Sequence, residues 1–141
     1  MITFCPTQDK STFRGLLNDL DQLYPQFGQW LDGLILDIDT PVLLAQDQGH
    51  IIGVAIGKRS INETKLRCVR IHKDYRAHGV GIRLMDNMLD LLECRYPHVT
   101  VAEELIHDYS RAFVDRYGFS LDSVPKGLYR CGKLEYMFNA P

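Results

Sequence analysis

One stretch constrains this chain more than any other. Residues Lys65 to His72 alternate, with Leu66, Cys68, Val69-Arg70 and Ile71 reading as a half-buried strand. The turn Tyr75 to Gly81 follows and contains Arg76-Ala-His-Gly79-Val-Gly81. Val80, Leu84, Met85, Met88, Leu89, Leu91 and Leu92 then fall on one helical stripe that runs to about Arg95, with Pro97 as its stop. A strand that feeds a glycine turn and opens a helix aims several backbone N–H groups one way. The helix end adds roughly half a positive charge, so the turn is a cradle for an anion. Glycines at 79 and 81 let a ligand approach the backbone, and Arg76 offers a charge-assisted contact to phosphate. Two familiar phosphate loops do not fit. A G-x-G-x-x-G turn needs a glycine where Leu84 stands, and a Walker A loop needs Lys and Ser/Thr where Ile82 and Arg83 follow Gly81.

The flanking elements are legible by period. Ile2 to Phe4 reads as a first strand. Ser11 or Thr12 is placed to cap a helix carrying Phe13, Leu16, Leu17, Leu20 and Leu23, which Pro25 breaks. A second helix holds Phe27, Trp30, Leu31, Leu34 and Ile35. The run Pro41–Gln46, the turn Asp47-Gln-Gly49 and the run His50–Ile56 form a hairpin signature, with a polar loop at Asn62-Glu-Thr64. Later, His98–Ala102 reads as a strand and Tyr109–Tyr117 as a short helix with Gly118 just past its end. Phe119–Val124 and Lys133–Phe138 read as two last strands. Helices mixed with strands in this order predict an α/β or α+β domain, and neither a repeat nor a linker interrupts it.

The 141 residues suit one domain, 1–141, able to bury a core without staples. Cys5, Cys68, Cys94 and Cys131 form no C-x-x-C pair and no zinc spacing. They read as reduced residues of a cytoplasmic protein, and no metal is expected. No apolar run approaches a membrane span, and the N-terminus does not read as a signal peptide. A net charge of −2 excludes general attraction to nucleic acid or to an acidic membrane surface. Its distribution is uneven. Residues 1–64 carry four basic and eight acidic side chains, residues 65–141 twelve basic and ten acidic. That split is either chance or an anion site in the second half beside a cation-tolerant groove in the first.

Arg-x-x-Gly-x-Gly after a strand, opening a helix, resembles the acyl-CoA cradle of the GNAT superfamily of N-acyltransferases. The order of the elements and the ending Tyr117-Gly118-Phe119 are similar to that family across nearly the whole chain. The resemblance implies a mixed central sheet of about six to seven strands flanked by about four helices, with the fourth and fifth strands splayed. It implies acetyl-CoA as cosubstrate, its pantetheine arm lying against the backbone of Val69, Arg70 and Ile71. The pyrophosphate would rest on the N–H groups of Ala77, His78, Gly79, Val80, Gly81 and Ile82, beside Arg76. An N–H in the Ile71 region would polarise the thioester carbonyl. Two positions depart from the pattern. A frequent cofactor-binding Asn is His107 here, and the frequent proton-donating Tyr is Val114. Tyr117, Tyr109 and Ser110 are substitutes on the same segment.

Transfer to an amine needs the amine neutral. A lysine-like group with pKa ~10.4 sheds its proton at a cost of about 4 kcal/mol near neutral pH. A carboxylate beside it eases that step, and Glu103 and Glu104 close the strand that would face the cleft. Alternation turns only one of them inward. His72 is a further base candidate, and Trp30, Phe27, Tyr129 and Tyr136 either wall an acceptor pocket or pack. The first reading is an acetyl-CoA-dependent N-acetyltransferase acting by direct attack on a small-molecule or peptide amine. Its alternative is a degenerate module of the same fold that binds CoA or a protein partner without catalysis. A homodimer through the C-terminal strands is compatible with the family.

Overall fold

In the computed structural model, which describes residues 1–140, the hairpin that dominates the first half is closed by backbone chirality. Gln48 and Gly49 both adopt left-handed conformations, φ 51° and 83°. This matches the twist of two antiparallel strands joined by two residues. The turn joins β2 (Val42–Asp47) to β3 (His50–Arg59). With β1 (Ile2–Pro6) and β4 (Thr64–Ile71) they form an antiparallel sheet in the order β1-β2-β3-β4. The chain groups into two compact units, Met1–Cys94 and Arg95–Pro141, and this sheet belongs to the first.

Two bulges shape that sheet. Ile56 pairs with Cys68 while Gly57 pairs with Leu66, so Arg67 is an extra residue in β4. Ala45 pairs with Gly53 while Gln46 pairs with Ile51, which makes Ile52 the extra residue in β3. Each insertion bends its strand and re-aims the side chains beyond it.

The helix after β4 is α3 (Val80–Leu92). Its buried stripe is Val80, Leu84, Met85, Met88 and Leu92, five of the seven residues the spacing predicts; Leu89 is half-buried and Leu91 is exposed. Two glycines of β3 decide how near it lies. A Cβ on Gly53 would stand 2.8 Å from Ile71 Cδ1, and one on Gly57 would stand 2.9 Å from Leu92 Cδ2 and 3.1 Å from Met88 Sδ. The helix therefore packs almost onto the β3 backbone. It stops at Leu92, short of Arg95 and Pro97, because Glu93 takes the left-handed conformation (φ 53°) and its N–H bonds back to Asp90 and Leu89.

The N-terminal helices differ from the expectation. Asp9, not Ser11 or Thr12, is the cap: its carboxylate accepts the Ser11 N–H at 3.0 Å. The segment it opens winds as two short 3-10 turns, Lys10–Thr12 and Arg14–Leu17, before α1 (Leu20–Leu23) and α2 (Phe27–Gly33). Gly15 removes a side chain from the middle of the segment, and 3-10 turns suit such short pieces. Phe13, Leu17, Leu20 and Leu31 are nevertheless buried, but α2 ends at Gly33, so Leu34 and Ile35 lie beyond the helix expected to hold them and Ile35 is 75% exposed.

The second unit holds β5 (Val99–Ala102), α4 (Ile106–Ser110), β6 (Leu121–Ser123) and β7 (Glu135–Phe138), with an antiparallel strand order β5-β7-β6. After α4 the chain winds as a π-helix over Arg111–Arg116, with the Tyr117 N–H bonded to the Ala112 carbonyl five residues back. Gly118 (φ 68°) then turns the chain, as expected of a residue past a helix end. Phe113 is the hub of this unit. Its ring centroid lies 5.6 Å from Tyr109, 5.2 Å from Phe119 and 5.4 Å from Phe138. Among the described residues seven strands and four α-helices make the mixed α/β class that the sequence predicts. Among the described residues no helix is long and apolar enough to cross a membrane.

Leu84 is fully buried where α3 meets β3. Leu84→Ala is expected to lower the unfolding free energy by about 2–5 kcal/mol, the range for a truncated core leucine. Urea denaturation of both proteins measures it.

Candidate functional site

β4 is the last strand of its sheet, so one edge of it faces away from β3. The direction of each N–H follows from one bond. The His72 N–H donates to the Ile52 carbonyl at 2.7 Å, so it points toward β3. Strand alternation turns the Ile71 N–H and carbonyl the other way, to the outer edge. The Arg76 side chain folds back to that edge, its Nε donating to the Ile71 carbonyl at 2.9 Å. This contact leaves the outer nitrogens of the guanidinium for an anion. The Arg70 side chain leaves the edge altogether, buried and ion-paired with Asp19. Val69 precedes Arg70 in the strand and pairs opposite Ala55.

Between β4 and α3 the chain makes a 3-10 turn, Lys73–Tyr75, whose N–H at Asp74 is accepted by His72 Nδ1 at 3.1 Å. That contact makes His72 a cap rather than an open base. Two left-handed residues follow, Ala77 (φ 64°) and Gly79 (φ 80°). They reverse the chain so that the Gly79 N-cap opens α3 directly after the turn. The helix ladder begins with the Arg83 N–H on the Gly79 carbonyl, 3.1 Å. The Val80 and Gly81 N–H groups lie ahead of it, at the positive end of a 13-residue helix, and Ile82 completes this first turn.

The cradle is open. A Cβ on Gly79 would meet nothing within 4 Å, and one on Gly81 would touch only Ile71 Cγ1 at 3.6 Å. Neither glycine has a side chain or backbone atom crowding the space in front of it. The geometry therefore fits a diphosphate-bearing cosubstrate, and the sequence-predicted residues Arg76 to Ile82 come together at this turn.

The family comparison then decides the matter: residues 39–121, more than half of the chain, match the model of the acetyltransferase (GNAT) domain. The chain belongs to the GNAT acetyltransferase family. No curated protein matches it. Among solved structures, the IAA acetyltransferase of Bacillus cereus is similar over 98% of this chain and 97% of its own, at TM-score 0.75 and 11% identity. The ribosomal-protein-S18-alanine N-acetyltransferase of Escherichia coli is similar over 98% and 92%, at TM-score 0.72 and 15% identity. NAA60 of Arabidopsis thaliana, solved in complex with acetyl-CoA, is similar over 98% and 97%, at TM-score 0.69 and 16% identity. At these identities the likeness is one of fold.

The remaining sequence-predicted residues of this GNAT domain lie in the second unit, and their surroundings differ sharply. Glu104 is clamped: both its oxygens accept from the Arg130 guanidinium at 2.7 Å. Those hydrogen bonds outweigh partial burial and hold its carboxyl at about 2, against an ordinary 4.5. So weak a base is poorly suited to take a proton from an ammonium. Glu103 instead extends the ladder past β5. Its N–H donates to the Leu134 carbonyl at 3.2 Å, and its Oε1 accepts the Leu134 N–H at 2.8 Å. His107 is exposed on α4. Val114 is 47% exposed on the π-helix, while Tyr109 and Tyr117 stack on Phe113 and Phe119.

Cys68 is a half-buried residue of β4 with its thiol reduced. Burial pushes its thiol up to about 12, more than the charge of Arg70 offsets. Sequence reasoning missed two residues that shape these surroundings. Arg130 and Asp19 act through partners 26 and 51 positions away, and no local signal marks such a pairing. Ala77, which the sequence offers for its N–H, also takes the left-handed backbone of the turn.

Two outcomes follow. Left-handed backbone strains alanine and not glycine, so Ala77→Gly is expected to raise stability by about 1 kcal/mol, read by thermal melting without ligand. Glu104 has a folded-state pKa below its unfolded one, so its ion pair stabilises fully above about pH 5 and is lost as pH falls toward 2. Glu104→Gln is therefore expected to melt below wild type at pH 7, by about 1 kcal/mol for a part-exposed pair. The gap should close on acidification, and melts across that range test the sign.

Proposed function

We propose that this protein transfers an acetyl group from acetyl-CoA to a primary amine by direct attack in a ternary complex. The observation that carries the reading is the open left-handed turn Ala77-His78-Gly79 at the start of α3, set directly after an edge strand. When bound, acetyl-CoA supplies an activated acetyl group as a thioester. The N–H groups of Gly79, Val80 and Gly81, with the outer nitrogens of Arg76, bind and neutralise the diphosphate. The Ile71 N–H, aimed at the outer edge of β4, is the donor for an oxyanion. The edge of β4 at Val69, Arg70 and Ile71 offers a ladder to an amide-bearing arm, as an added strand would use it.

Of the two carboxylates, Glu103 is the better proton acceptor. Its hydrogen bond comes from a neutral N–H, whereas Glu104 is neutralised by Arg130. Direct attack is favoured because the Cys68 thiolate is inaccessible near neutral pH. A valine at 114 leaves the leaving thiolate without the family's usual phenol. A thiol of pKa ~8.5 departs as thiolate at modest cost, so this loss slows transfer rather than forbidding it. The acceptor is a small-molecule or peptide amine, and the site of action is the cytoplasm.

Val114 also motivates the second reading, a module that binds CoA without transfer. Isothermal titration with acetyl-CoA, on wild type and on Gly79→Glu, separates the readings. Micromolar binding that weakens at least a hundredfold in Gly79→Glu is expected, because the new side chain adds bulk, negative charge and left-handed strain. Thiol release on a panel of primary amines then marks the enzyme, and tight binding with no release on any amine marks the module. No binding to the folded wild type would overturn both.

A further inference from the structure

The two carboxylates at the end of β5 grip one loop at two places. Glu103 holds its exit. The Glu103 N–H donates to the Leu134 carbonyl at 3.2 Å, and Glu103 Oε1 accepts the Leu134 N–H at 2.8 Å. Glu104 holds its tip, accepting from Arg130 Nη1 and Nη2 at 2.7 Å each. Lys133, on the same loop, adds its positive charge to the field on Glu104. The loop itself is a narrow hairpin. The Glu135 N–H donates to the Pro125 carbonyl at 3.0 Å and the Gly127 N–H to the Lys133 carbonyl at 2.9 Å, while Lys126 bridges to Leu134. Gly127 (φ 80°) and Gly132 (φ 74°) turn the chain on either side of the tip.

The neck hydrogen bonds set the shape of this loop, and the two glutamates set its place beside β5. Leu128 and Tyr129 at the tip are both exposed, so apolar burial contributes little to holding it. The ion pair is better placed. It is bidentate, and the Arg130 side chain is only 12% exposed, so solvent screens it weakly. Glu103 is half-buried. Its Oε1 is taken by Leu134, and among the described residues its Oε2 has no hydrogen bond. One oxygen is fixed and the other is open, which is how a carboxylate is held to take a proton from a defined direction.

We propose that Arg130 is a positioning residue: clamped to Glu104, it holds the loop so that the Leu134 N–H stays on Glu103 Oε1 and Oε2 stays open to the proton of the acceptor. This rests on the proposed transfer, in which Glu103 is the proton acceptor. The adjacent carboxylates then have unlike duties. Glu104, neutralised, anchors the loop, and Glu103, tied to a neutral donor, takes the proton. An arginine suits the clamp better than a lysine. A guanidinium engages both oxygens of Glu104 at once and so fixes the orientation of the loop as well as its distance, whereas an ammonium fixes distance alone.

The test uses the whole chain and two readouts. The first needs no activity: NMR follows the Leu134 amide and the Glu103 side-chain carboxyl through an acid titration. In wild type the amide is expected to move with Glu103, because the carboxylate accepts from it. In Arg130→Gln, and in Glu104→Gln, which breaks the clamp from the other side, that coupled movement is expected to be lost. The second readout is steady-state transfer from acetyl-CoA to an amine that the wild type accepts. Arg130→Gln is expected to lower kcat at least about tenfold, within the ~10²–10⁴ that a positioned base contributes, and to leave the KM for acetyl-CoA unchanged. Arg130→Lys is expected to recover part of that loss. Added to Glu103→Gln, Arg130→Gln is expected to cost nothing further, because it acts through Glu103. Additive losses would overturn the proposal. So would a Leu134 amide that still tracks Glu103 in both clamp variants. A wild type that transfers to no amine would sink the proposed transfer instead, and the amide titration would still decide whether Arg130 holds Glu103.

Discussion

Everything at the cradle depends on how near α3 can come to β3. Gly53 and Gly57 leave no Cβ between the helix and the strand, and the space goes to Ile71, Leu84, Met88 and Leu92. A helix held that close cannot slide or tilt freely, because protein interiors pack like crystals. Its N-terminus is therefore pinned beside the end of β4, and the turn between them has only the residues from His72 to Gly79 in which to reverse. The left-handed backbone at Ala77 and Gly79 is the consequence of that short reversal. An anion cradle follows from packing first and from glycine second.

The same strand carries a second constraint. Arg67 is inserted opposite the Ile56–Gly57 step, so the two ends of β4 serve different neighbours. Toward its C-terminal end the strand gives an N–H and a carbonyl to its outer edge, and Arg76 occupies the carbonyl. Toward its start it gives a cation to the Trp30 ring. Charges that look alike in the sequence end up in unlike states. Arg70 and Arg130 are spent on carboxylates, Arg76 is half spent on the backbone, and Arg67 is left with an aromatic face. The distinction matters because only an uncommitted or half-committed guanidinium has nitrogens to offer a ligand.

The two carboxylates closing β5 make the same point. They are adjacent, and by alternation alone they are equal candidates for a base. Arg130 makes them unequal by neutralising Glu104, while Glu103 stays tied to a neutral N–H of Leu134. Likewise Tyr109 and Tyr117, offered by the sequence as stand-ins for a missing phenol, lie against the Phe113 and Phe119 rings.

What the sequence determined by itself was whatever depends on neighbours in the chain. The strand, the glycine turn and the apolar stripe of α3 were legible because their periods and their glycines are local, and so was the hairpin turn at Gln48-Gly49. The buried set Phe13, Leu17, Leu20 and Leu31 was legible for the same reason. What only the tertiary structure decided depends on contacts across many residues. The N-terminal segment became 3-10 turns because burial of its apolar side chains outweighs the choice among helix types, which differ little in energy. The bulge at Arg67 became visible only against its partner strand, since an extra residue has no meaning without a register. The states of Arg70, Glu104 and Cys68 were set by partners or burial that spacing cannot encode. Ionisation depends on distance in space, and distance along the chain says almost nothing about it.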